Sequence, residues 1–99
     1  MSVTVRATAT KPTEVKWYAL LSPENIQSQE EENAWTAQQP GFISRESVIE
    51  SEDVSTLTIT FDTIEQYRAW KSARDASAYG LARGEYSTIN KIISVYTYL

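Results

Sequence analysis

From Thr56 to Phe61 the sequence alternates without a break, with Leu57, Ile59 and Phe61 on one parity and Thr56, Thr58 and Thr60 on the other. A strand of this kind has one apolar and one hydroxylated face, so it belongs to a sheet covered on a single side. The next residues supply the cover. Asp62-Thr63-Ile64-Glu65 reads as a capping box, with Asp62 as the cap and Glu65 three positions on. The helix it opens carries Ile64, Tyr67, Trp70 and Ala73 at intervals of three, a stripe that faces the core. A strand running straight into such a helix commits the chain to a layer of helix on sheet.

The flanking sequence repeats the theme. Val3, Val5, Ala7 and Ala9 alternate with Thr4, Arg6, Thr8 and Thr10, a half-buried strand that Lys11-Pro12 ends. Thr13 to Leu21 fits strand, loop or helix; an extended segment pinned by Trp17 is the favoured reading. Ser22-Pro23-Glu24 starts a helix, with a serine cap, proline in the first turn and an acid near the exposed amides. That helix runs to about Gln38, with Ile26, Asn33, Ala34 and Ala37 inward and Glu30, Glu31 and Glu32 largely outward, until Pro40-Gly41 stops it. Phe42 to Glu50 is a strand and Ser51-Glu52-Asp53 a turn into the Val54 strand. The second helix frays between Arg74 and Ala78, Gly80 and Gly84 mark a flexible connection, and Ile89 to Leu99 is the last strand. The order strand, helix, strand, strand, helix, strand predicts one α+β domain over residues 1–99. Its form is a ferredoxin-like βαββαβ antiparallel sheet with two helices on one face.

Composition narrows the chemistry. The 99 residues contain no histidine and no cysteine, which removes thiol catalysis, thiolate metal sites and imidazole general bases. No metal and no cofactor are expected. The net charge of −4 and the scattered Lys and Arg lack the basic stripe that nucleic acid requires. The longest apolar run, Trp17 to Leu21, falls far short of the ~18 residues of a membrane span. Met1-Ser2-Val3-Thr4 has no basic cap before an apolar stretch, so no signal peptide is read and a cytoplasmic location is expected.

Three stretches carry a family resemblance: Gln39-Pro40-Gly41-Phe42-Ile43-Ser44, Leu57-Thr58-Ile59-Thr60-Phe61-Asp62, and Ile64-Glu65-Gln66-Tyr67-Arg68-Ala69-Trp70-Lys71-Ser72. Together with Val3 to Pro12 they resemble the dimeric α+β barrel superfamily, and within it the antibiotic-biosynthesis-monooxygenase-like group. The resemblance implies a pocket between sheet and helices, in which some members oxidise quinol-like aromatics with no metal or flavin, while others cleave haem. Trp70 matches the group's second-helix tryptophan, which lines that pocket. Ser77-Ala78-Tyr79-Gly80 stands where the haem cleavers carry a histidine, and Val3 to Thr10 holds no asparagine where the oxygenases commonly place one.

These observations leave two functional readings. One is a cofactor-independent monooxygenase-like protein acting on a flat aromatic molecule. Trp70 and Tyr67 would be the pocket wall, Trp17 its second side and Arg74 an anchor for an anionic substituent. The other is a non-catalytic dimeric module whose pocket is filled by its own side chains. Glu46 and Glu50 share one face of a strand, but nothing around them supplies the apolar burial that tunes a carboxylate for acid–base work. The pairs Arg74 with Asp75 and Arg83 with Glu85 read as surface ion pairs. A homodimer is expected. The uncovered face would carry Val54, Thr56, Thr58 and Thr60 beside one alternation of the last strand; if that is Ile92, Ser94, Tyr96 and Tyr98, the patch is too apolar to leave in water.

Overall fold

The computed structural model describes residues 1–99. Four strands form one antiparallel sheet: β1 (Val3–Thr10), β2 (Phe42–Ser51), β3 (Val54–Phe61) and β4 (Ile93–Tyr98), in the order β2-β3-β1-β4. This is the ferredoxin-like α+β arrangement expected from the sequence. Between β1 and β2 lies α1 (Pro23–Ala37). Between β3 and β4 lie two helices, α2 (Ile64–Ala76) and α3 (Ala78–Ile89).

The register assigns the faces. Val5 pairs with Ile59 and Tyr98, and Ala7 with Leu57 and Tyr96, so these side chains share the helix-covered side. The core is small: Val5, Ile59, Phe61, Tyr67 and Trp70, with Val3, Trp35 and Phe42 packed against it. Phe61 is fully buried, and its ring lies 5.5 Å from Trp70 and 6.2 Å from Tyr67. The stripe read from the α2 sequence therefore meets the apolar parity of β3.

The structure corrects several expectations. The helix cap is Thr63, not Asp62: its hydroxyl accepts from Gln66 N and the Gln66 side chain accepts from Thr63 N. The box slid by one residue because Thr-x-x-Gln offers the same reciprocal bonds as Asp-x-x-Glu. The glycine-containing connection is a helix, so the sheet carries three helices and not two. Ser77 ends α2 and caps α3, accepting from Gly80 N at 3.1 Å and donating to the Arg74 carbonyl at 2.6 Å. Gly80 is there for close approach, since a Cβ would run into the Arg74 carbonyl. Consequently β4 starts at Ile93. Lys91, at φ 58°, turns the chain while Ile92 N donates to the Ser87 carbonyl, a Schellman closure.

The segment before α1 is neither strand nor freely extended. It ends in a single 3₁₀ turn, Tyr18–Leu20, because Tyr18 packs edge-on to Tyr79 and Tyr86 of α3. The Tyr86 hydroxyl also donates to the Lys16 carbonyl at 2.6 Å. In α1, Ile26, Ala34 and Ala37 are exposed, and Glu32 turns inward while Glu30 and Glu31 stay wet. The covered stripe is polar instead: Asn25, Gln29, Glu32 and Thr36, at helical spacing.

On β4 the uncovered alternation is not Ile92, Ser94, Tyr96 and Tyr98 but the other one. Ile93, Val95 and Thr97 pair with Thr10, Thr8 and Arg6 on the uncovered face, and Tyr96 and Tyr98 stand on the helix side. The uncovered face is thus a field of threonines with Val48, Val54, Ile93 and Val95, carrying Arg6, Glu46 and Glu50 as its charges and no aromatic ring.

Candidate functional site

Between the sheet and the three helices is a cavity of about 350 Å³. Its floor is small because β1 contributes Ala7 and Ala9, side chains too short to fill the space below the helices. Trp70 and Tyr67 reach it from α2, Trp17 from the segment before the 3₁₀ turn, and Arg74 from the last turn of α2. All four residues singled out in the sequence line this one space. It also takes Ile92, Ser94 and Tyr96 from the β4 end and Tyr79, Arg83 and Gly84 from α3; of these the sequence raised Tyr96 and Arg83 as ligand contacts but favoured packing for the one and a surface ion pair for the other. The spacing of Tyr79, Arg83 and Ser87 was the available signal, since positions four apart share a helix face.

A polar relay ties the site's two helical walls. Trp70 Nε1 donates to Thr36 Oγ1 at 2.9 Å, Thr36 Oγ1 donates to Glu32 Oε1 at 3.0 Å, and Arg74 Nε donates to that same oxygen at 3.0 Å. Thr36 has no exposed surface, so each member meets its partners without competition from water. Arg74 also lies over the rings of Trp70 and Tyr79 and 3.6 Å from Asp75. Arg74 is therefore occupied by two carboxylates, which leaves it poorly placed as the anchor for a bound anion.

Burial, with the nearby phenols of Tyr98 and Tyr96, pushes the Tyr67 phenol up to about 12. At neutral pH it is a hydrogen-bond donor and no base. The indole Nε1 of Trp17 is buried without an acceptor, and the ammonium of Lys11 sits 5.5 Å from that ring while bonding Asp53 at 3.0 Å. Lys71 lies 4.6 Å from the Tyr96 ring centre and pairs with Asp75 at 2.8 Å.

The other proposed constellations are not assembled. Glu46 pairs across from Thr58 and Glu50 accepts from Thr56, so both point to the uncovered face, away from the cavity. Arg83 and Glu85 form no ion pair. No group of three or more acidic side chains is placed to hold a metal ion, and no helix is long and apolar enough to cross a membrane.

No family model and no curated protein matches the chain. Solved structures do. SnoaB, a cofactor-independent oxygenase from Streptomyces nogalater, superposes with a TM-score of 0.62 at 15% identity, over 99% of this chain and 90% of that one. Rv0793 from Mycobacterium tuberculosis gives 0.61 at 13% identity, over 100% and 93%. A proposed antibiotic biosynthesis monooxygenase from Caulobacter crescentus CB15 gives 0.58 at 14% identity, over 99% and 87%. The chain shares the fold of the antibiotic-biosynthesis-monooxygenase-like proteins along its whole length.

Proposed function

We propose, from that shared fold and the open cavity, that this protein binds a flat aromatic small molecule beside Trp70. We further propose that it acts as a cofactor-independent monooxygenase on quinol-like substrates. The observation that carries the reading is the cavity of about 350 Å³ lined together by Trp70, Tyr67 and Trp17. Its size lies within the range of small-molecule sites, and aromatic walls suit a planar ring system. The interior is not filled by its own side chains, which counts against the purely structural alternative.

In this reaction class the electron-rich substrate supplies the electrons. Where a ring CH₂ is oxidised, one oxygen atom of O₂ enters the new carbonyl and the other leaves as water with the two hydrogens. The protein's part is to hold the ring, to exclude water, and to favour the substrate's phenolate. The cations around the cavity stabilise such an anion, and the neutral Tyr67 phenol can donate to it. No cavity carboxylate is free to act as base, since both are engaged by Lys71 and Arg74. This favours a second reading, a dimeric ligand-binding module without catalysis.

Oxygen uptake with a hydroxyanthrone, measured against the same solution without protein, separates the two. Protein-dependent uptake with quenching of tryptophan fluorescence supports the oxygenase. Quenching without added uptake leaves the binding module, and neither effect removes the ligand site altogether.

Dimerisation belongs to the same proposal. The uncovered face leaves Ile93 65% and Val95 60% exposed on a surface of β-branched side chains. Two copies pressed together across a two-fold axis would cover both.

A further inference from the structure

Four cations line the cavity, Arg45 of β2, Lys71 and Arg74 of α2, and Arg83 of α3, against two carboxylates, Glu32 and Asp75. Glu32 is held by Arg74 at 3.0 Å, and Asp75 by Lys71 at 2.8 Å and Arg74 at 3.6 Å. No carboxylate comes within 4.0 Å of Arg45 or Arg83. The cavity thus holds two guanidinium groups with no carboxylate in contact, in a protein whose overall charge is −4.

Both arginines are half-buried. Arg45 stands opposite Ile59, one of the most buried core residues, on the covered side of the sheet. Its guanidinium is pushed down from its usual value by burial; Glu32 and Tyr79 oppose that shift, and the charges of Arg74 and Arg83 add to it. Charge taken from water without a partner is unfavourable. A surface arginine escapes this by turning outward, whereas these two are half-buried along the cavity wall.

We propose that the cavity selects aromatic ligands bearing a carboxylate, with Arg45 and Arg83 as the anion-binding pair and the ring system against Trp70 and Tyr67. The guanidinium fork matches a carboxylate in shape and charge. This assignment moves the anchoring role from Arg74, which Glu32 and Asp75 engage, to the two arginines that no carboxylate contacts. It rests on the reading of the cavity as an aromatic site.

The test uses anthraquinone-2-carboxylate and its neutral isostere anthraquinone-2-carboxamide, each titrated against the 99-residue chain by tryptophan fluorescence. The carboxylate should bind about tenfold more tightly, a preference that fades with added salt. Arg45→Gln and Arg83→Gln should each remove most of that preference through weaker carboxylate binding, while Arg45→Lys keeps part of it. Equal binding of the two probes to the unmutated protein overturns the anion assignment and leaves the aromatic site standing. The same holds if the glutamine variants weaken both probes alike. If neither probe binds, the aromatic reading falls and this inference falls with it.

Discussion

The indole N–H of Trp70 donates to the hydroxyl of Thr36 across the α1–α2 contact at 2.9 Å, and both residues are buried. The threonine hydroxyl in turn donates a hydrogen bond to Glu32, which also accepts from Arg74. One side of the candidate site is thereby held by hydrogen bonds as well as apolar packing. Thr36→Val keeps the shape and removes the acceptor, leaving a buried indole donor unpaired at a cost of about 1–3 kcal/mol. Urea denaturation measures it. Trp70→Phe in the same background should recover part of the loss in a double-mutant cycle, and strict additivity would deny the coupling.

Tyr67 bears on the alkaline limit of stability. Its phenol ionises at about 12 in the folded chain, against an ordinary value of 10.0. Below pH 10 both folded and unfolded chains hold the proton, so nothing is lost. Between 10 and 12 only the unfolded chain ionises, and stability declines as pH rises. Subtracting the Tyr67→Phe absorbance titration from that of the parent should isolate one late phenol step. A step at an ordinary tyrosine pH would show that the ring is not buried as described.

Asp53 sets the opposite limit. Hydrogen bonds from Thr13 and Lys11 hold its carboxyl below the ordinary 3.8, and they tie the β2–β3 hairpin to the end of β1. Its contribution is full above that ordinary value and disappears as pH falls through the lowered one. The urea midpoint of the parent should therefore drop on acidification more steeply than that of Asp53→Asn. Parallel curves would contradict the assignment.

Two left-handed positions predict opposite signs. Gly41 has φ 81°, and a Cβ there would collide with the Gln66 side chain that caps α2. Gly41→Ala should cost about 1–2 kcal/mol for the backbone alone. Lys91, at φ 58°, already bears such strain, so Lys91→Gly should stabilise by up to about 1 kcal/mol. Thermal unfolding of the two variants should move in opposite directions.

Thr58 lies on β3 in the uncovered face, between Arg6 of β1 and Glu46 of β2. In a face-to-face dimer burying about 1,200–2,000 Å², a lysine there would place charge in the interface. Sedimentation at low micromolar concentration should give twice 11.2 kDa for the parent and a shift toward 11.2 kDa for Thr58→Lys. A parent already at 11.2 kDa would refute the dimer.

Much of this architecture is written locally. The parity of Leu57, Ile59 and Phe61, the Ser22 cap and the Tyr67–Trp70 stripe each depend on neighbours within one or two turns, so the sequence by itself determined the order of β1, α1, β2, β3 and α2 and the face that α2 covers. Trp70 was legible from the family resemblance, Tyr67 and Trp17 as large aromatics near a covered face, and Arg74 as a charge one turn beyond Trp70 on the same helix. What the tertiary structure alone decided are matters of partnership. Ala78–Ile89 is a helix despite two glycines, because Ser77 caps it, Gly80 fits against the Arg74 carbonyl and Tyr86 reaches Lys16. Glu32 turns inward against the usual habit of a glutamate run because Arg74 and Thr36, distant in sequence from each other, both meet it there. The parity of β4 follows from where Lys91 reverses the chain, and that single residue sends Tyr96 and Tyr98 to the cavity side and Ile93 and Val95 to the open face. Whether an arginine is neutralised or free depends on which carboxylates the fold brings within reach, and no spacing along the chain records that.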